Sequence, residues 1–111
     1  MASNELKIIR KCQTAEERIE GMQGREFSDG ECCVFIYDAK HPLRFWGKGV
    51  SQDMWVSCVD DGVVTQCRRI YAGDESPIVM KHMGDMAIES LERFYVGDVV
   101  NVKGNTLVIE R

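Results

Sequence analysis

The residues best suited to chemistry gather around a glycine break. Arg44, Phe45 and Trp46 lead into Gly47-Lys48-Gly49, and Trp55, Arg68 and Arg69 follow. Tryptophan and arginine join a large planar surface to directed donors, and they are the commonest anchors of binding sites. The glycines would let a ligand or a partner approach the backbone closely. Arg44, Trp46, Lys48, Trp55 and Arg69 are therefore the candidate ligand-binding residues. The competing reading places both tryptophans in the core, with the arginine stems lying over its rim.

Other chemistries have weaker patterns. Cys58 or Cys67 with His41 or His82 would supply a thiolate and a base. Neither histidine sits in a local signature, so no catalytic residue is assigned. A thiol-dependent enzyme using Cys58 or Cys67 stays as the alternative. His82, Asp85 and Cys67 offer mixed metal ligands, and Asp60, Asp61, Asp74 and Glu75 offer oxygens. Paired Cys/His spacings for zinc and alternating acids for calcium are both lacking, so these acids read as turn residues and no metal is expected. Gly47-Lys48-Gly49-Val50-Ser51 lacks the spacing and the following helix of a phosphate loop. No cofactor motif is legible.

These side chains need a scaffold, and the pattern gives one. Residues 5–11 alternate as an opening strand. Thr14-Ala15-Glu16-Glu17 is a capping box, and it starts a helix read over Ala15–Gln23 that stops at Gly24. Glu31–Tyr37 is a β-rich apolar run of the kind buried on both faces. Asp38–Pro42 reads as a loop, and Leu43–Trp46 as a returning strand. Met54–Val59 and Val63–Tyr71 flank Asp60-Asp61-Gly62, a strong hairpin signal. Ile78–Met80 and Met86–Glu89 read as short strands around an irregular Lys81–Asp85. Ser90–Phe94 reads as one helical turn. Val99–Val102 pairs with Leu107–Glu110 across Lys103-Gly104-Asn105. The expected fold is mainly β, a small antiparallel barrel or sandwich with one short helix near the N-terminus.

The 111 residues make a single domain, 1–111. With 44% hydrophobic and 29% charged residues the composition is globular. A net charge of −4 disfavours nucleic acid as the main partner. There is no 18-residue apolar run to span a membrane. The polar opening Met1 to Glu5 predicts no secretory leader, hence a cytoplasmic protein. Five cysteines cannot complete an internal disulfide framework. Adjacent Cys32 and Cys33 would point to opposite faces of a strand. Buried free thiols are the expectation.

The order of these motifs resembles domain-of-unknown-function family 192, small β-rich proteins of bacteria and archaea. Arg18-x-x-Gly21-Met22-x-x-Arg25 leads to Gly30 and an apolar strand. Phe45-Trp46, Asp60-Asp61-Gly62-Val63-Val64, Ile88-Glu89 and Val96-Gly97-Asp98 follow, so the likeness spans about residues 5–102. The family usually reads Gly-Leu-Met at Gly21-Met22-Gln23 and Phe-Trp-Met-Lys-Asn-Thr at Phe45 to Val50. Its Pro-Leu-Asp falls on Asp53-Met54-Trp55. Gly49, Val50 and Trp55 thus replace the polar residues of that region. The resemblance implies the β-rich fold and no particular reaction. The resulting expectation is a small cytosolic binding or accessory domain with its site around Phe45–Val50. Its partner would be a small molecule or a protein, and a homo-oligomer is the further alternative.

Overall fold

The computed structural model describes residues 4–111; the polar start from Met1 to Ser3 lies outside the described residues. The elements are β1 (Glu5–Cys12), α1 (Ala15–Glu20), β2 (Glu31–Phe45), β3 (Met54–Asp60), β4 (Val63–Ile70), β5 (Ile78–Ser90), β6 (Val99–Lys103) and β7 (Thr106–Glu110). The strands close into a barrel in the order β1-β2-β5-β3-β4-β6-β7. The expected mainly β barrel with one N-terminal helix is therefore the fold. One pairing departs from the antiparallel expectation: β1 runs parallel to β2, and α1 lies on the crossover that a parallel pair requires.

Two apolar clusters fill the molecule. One draws on all seven strands, including Leu6, Val34, Val59, Val64, Ile88, Val100 and Leu107, and fills the barrel. The other lies on the opposite face of β2, β3 and β5, with Cys33, Phe35, Val56, Cys58 and Ala87. Met22, Phe27 and Val50 from the connections cover that second face. The first part of strand β2 is covered on both sides because residues 33, 35 and 37 face one cluster and residues 32, 34 and 36 the other. Cys32 and Cys33 do point apart, one into each. All five cysteines are free thiols; four are buried and Cys67 is half-buried.

The structure corrects several boundaries. Asp38–Pro42 is not a loop but the middle of β2, and Lys81–Asp85 is not irregular but the middle of β5. These two stretches pair with each other, His41 opposite Gly84 and Pro42 opposite Met83. Both are largely exposed, which explains their loop-like composition. Pro42 is tolerated because the register shifts beside it. The helix ends at Glu20, because Gly21 takes a positive φ of 49°. Residues 91 and 92 form a bend, and no helical turn forms over 90–94. Ser90 is the last residue of β5, and its hydroxyl donates to the Glu92 carbonyl at 2.6 Å. The Asp61-Gly62 hairpin holds as read, with φ of 49° and 79° at its two central residues.

Candidate functional site

Strand β5 turns Ala87 and Glu89 to the outer cluster and Ile88 and Ser90 to the barrel interior. Glu89 is flanked in register by Cys33 on β2 and Val56 on β3. Both neighbours are fully buried. The carboxyl is therefore set in an apolar wall. Glu89 is 4% exposed, and no hydrogen bond reaches its Oε1. Burial pushes its pKa up to about 8, and the nearby Cys12 adds to the shift. Near neutral pH it is mostly a carboxylic acid, able to donate one hydrogen bond and accept others.

Glu89 lies in the wall of a cavity of about 460 Å³. That is within the ordinary range of small-molecule sites, roughly 300–1,000 Å³. Besides Glu89, its walls come mainly from three places. Helix α1 and its end give Ala15, Arg18, Ile19, Glu20, Gly21 and Gln23. Strand β2 gives Phe35, Tyr37, Arg44 and Phe45. The following segment gives Trp46, Lys48 and Val50, and Pro77 closes one side. Phe35 and Phe45 meet edge to face at 5.5 Å, a geometry worth about 0.5–1.5 kcal/mol.

Local contacts fix these walls. The Thr14 hydroxyl accepts from the Glu17 amide at 3.1 Å, and the Glu17 carboxylate accepts from the Thr14 amide at 3.0 Å. Arg18 Nη1 donates to the carbonyls of Gln13 (2.8 Å) and Ile36 (3.0 Å), tying α1 to β2. Its guanidinium lies 4.5 Å from the Tyr37 ring centre. The Gly24 amide donates to Gly49 at 3.1 Å, and Gln52 exchanges two hydrogen bonds with the Phe27 backbone. The segment after β2 is thus docked onto the chain after α1. Gly47 does not open the backbone to a ligand, because a Cβ there would collide with the Tyr71 carbonyl. Its amide and carbonyl bond Asp74 and Gly73.

Three of the five candidate residues, Arg44, Trp46 and Lys48, line this cavity. Trp46 is 42% exposed, and Lys48 Nζ lies 5.3 Å from its ring centre. Trp55 and Arg69 are not in its walls. Trp55 points to the opposite face of β3 from Met54 and Val56, and both Arg69 and Arg93 stack on it at 4.9 Å.

The thiols divide differently from the sequence reading. Burial pushes the Cys58 thiol up, and its sulfur donates to the His82 backbone carbonyl at 3.6 Å rather than to an imidazole. The His41 ring packs beside Tyr37. The acidified thiol is Cys12. A hydrogen bond with Cys33, 3.7 Å away, and one from Arg10 Nε at 3.2 Å bring it down to about 7, while Cys33 is pushed up. Among the described residues no three His, Cys, Asp or Glu side chains gather as a metal site. Sequence reasoning missed Glu89 and Cys12. The signal for Glu89 was present: one acid on the core-facing alternation of an apolar strand.

No protein-family model matches the chain, and no curated protein does. Two solved structures share its fold. A protein of unknown function from Novosphingobium aromaticivorans DSM 12444 superposes with a TM-score of 0.68 at 21% identity, over 71% of this chain. The match spans 59% of that protein's length. A "putative transcription regulator" from Sinorhizobium meliloti 1021 superposes at 0.77 and 14% identity, over 95% of this chain and 81% of its own. At these identities the likeness is one of fold. No helix among the described residues is long and apolar enough to cross a membrane.

Proposed function

We propose that this chain is a small-molecule binding module, its ligand seated between α1, β2 and the segment that follows β2. The observation that carries the reading is the cavity itself: an aromatic body of Phe35, Tyr37, Phe45 and Trp46 with cationic groups among its walls. The apolar part of a ligand would lie against the rings, and an anionic group would meet Arg44 and Lys48. The resemblance to family 192 belongs to this reading. Of its motif residues, Arg18, Gly21, Phe45, Trp46 and Glu89 stand in the cavity wall, and the others lie elsewhere. A thiol enzyme at Cys58 gains no support, because burial disfavours its thiolate.

The test is a titration of isotope-labelled protein with 4-methylbenzoate, followed by amide and indole shifts. A ligand of this size, at roughly 0.3 kcal/mol per heavy atom, binds in the millimolar range, so the titration runs to about 10 mM. Shifts at the Trp46 indole, Gly21 and Glu89 that weaken at least about fivefold in Arg44→Ala support the reading, a loss of about 1 kcal/mol. Silent spectra, or shifts confined to Trp55 and Arg69, overturn it.

A further inference from the structure

The Glu89 carboxyl is a buried polar group without a partner for Oε1, in the wall of a cavity that also carries cations. We propose that the cavity takes a small zwitterionic molecule, in which a cationic nitrogen donates to Glu89, an apolar body lies against Phe35, Phe45 and Trp46, and an anionic group meets Arg44 and Lys48. This rests on the binding reading above and adds the chemical group that meets Glu89.

The protein's own cations do not supply that donor. Arg10 is engaged by Cys12 at 3.2 Å and by Glu20 at 3.6 Å. Arg18 is held by two backbone carbonyls. Glu89's strand neighbours Cys33 and Val56 are fully buried, as is Ala87 on the same face. An uncompensated carboxyl in such surroundings costs free energy until a donor arrives. A donor that carries positive charge gives the stronger hydrogen bond and leaves an ion pair instead of a lone buried charge. A simple anion could only accept the acid's proton and would bring no donor to the unpartnered Oε1. A simple amine would leave Arg44 and Lys48 unused.

The proton balance follows. Glu89 holds a proton near neutral pH, with a pKa of about 8. Pairing with an ammonium group expels that proton to solvent. Affinity therefore rises with pH up to about 8 and holds only until the ligand's own ammonium loses its proton. The groups around Glu89 are Cys12 with Arg10 behind it on β1, Cys33 and Tyr37 on β2, and Cys58 on β3. Arg18 and Glu20 on α1, Arg44, and Lys48 after β2 complete them. Cys12 also titrates near 7, so its share must be separated.

The experiment is calorimetry with 4-(aminomethyl)benzoate and with 4-methylbenzoate, at pH 7 and 8.5, in two buffers of different ionisation enthalpy. We expect the amine to bind at least about tenfold more tightly than its methyl analogue at pH 8.5. We expect close to one proton released per ligand at pH 7, retained in Cys12→Ser. The advantage of the amine should vanish in Glu89→Gln, whose fold is checked by its melting transition. Equal affinities, an advantage that survives Glu89→Gln, or no proton release overturns the proposal. If 4-methylbenzoate binds with equal strength and Arg44→Ala weakens it, the binding reading stands and the zwitterion falls. If neither compound binds, both fall together. The analogue comparison on the unmodified chain decides even if Glu89→Gln does not fold.

Discussion

A carboxyl with no partner inside an apolar wall is a liability for folding. The unfolded chain would ionise Glu89 near its ordinary pKa of 4.5, whereas the folded chain holds the proton to about 8. The folded state thus binds the extra proton, and the stability that goes with it is complete below about pH 4.5. It is lost as pH rises through 8. At the limit this difference is roughly 4–5 kcal/mol, a large part of the stability of a domain this size. Glu89→Gln removes the charge while keeping the shape. We expect the variant to unfold at higher urea than the parent at pH 8.5, by roughly 2–4 kcal/mol, and to differ little at pH 4. Urea curves across that range check it. A parent whose stability is flat from pH 5 to 8.5 would mean that solvent already reaches the carboxyl. A residue this costly is kept where something else uses it, which is why the same side chain anchors the ligand proposal.

At the scale of elements, α1 is a wall that its own sequence holds in place. It has six residues and buries none of them, so apolar packing does not explain it. An isolated helix so short does not form in water. Its support is the capping box at Thr14 and Glu17 together with the Arg18 bonds to Gln13 and Ile36. We expect Thr14→Ala to destabilise the protein by about 1 kcal/mol, the usual cost of losing such a cap, and to weaken 4-methylbenzoate at the same time. A stability loss with unchanged affinity would detach α1 from the site. The start of this helix was legible because capping is local, with Thr14 and Glu17 within four residues; its stop, read at Gly24, falls instead at Gly21. The Asp61-Gly62 and Gly104 hairpins were legible for the same reason. The long middles of β2 and β5 were not, because what makes Asp38–Pro42 and Lys81–Asp85 strands is each other, across more than forty residues. The site was half legible. Arg44, Trp46 and Lys48 fall together because they are near in sequence. Trp55 and Arg69 separate from them because alternation sends Trp55 to the other face of β3. Glu89 joins them only through the pairing of β5 with β2, which no local pattern announces.

For the whole molecule, the closure of the barrel is uneven. Strand β5 pairs along much of its length with β2 and β3, and β3 pairs with β4 from Met54 to Asp60. Strands β4 and β6 meet in register only at Val63 and Val99. Three further backbone bonds complete that seam, all at 2.8 Å: Val64 to Asp98, Gly97 to Val64, and Val100 to Gly62. Asp98 braces it, accepting from the Tyr95 amide at 2.9 Å and from Arg111 Nε at 3.1 Å. A barrel has no free edge while closed, and its weakest pairing decides where it opens. The cavity lies on the β2–β5 side, away from this pairing in the strand order. Opening of the seam should therefore expose the barrel interior while leaving the binding face assembled. Hydrogen exchange followed residue by residue tests this. We expect the amides of Val64, Gly97 and Val100 to exchange well before those of Val34, Val56 and Ile88, and Arg111→Ala to speed the first group alone. Ligand at the cavity should slow exchange around α1 and leave the seam unchanged. Equal protection of the two groups would mean that the barrel opens only by global unfolding, so that a substitution at the seam would weaken ligand binding as strongly as it weakens the fold.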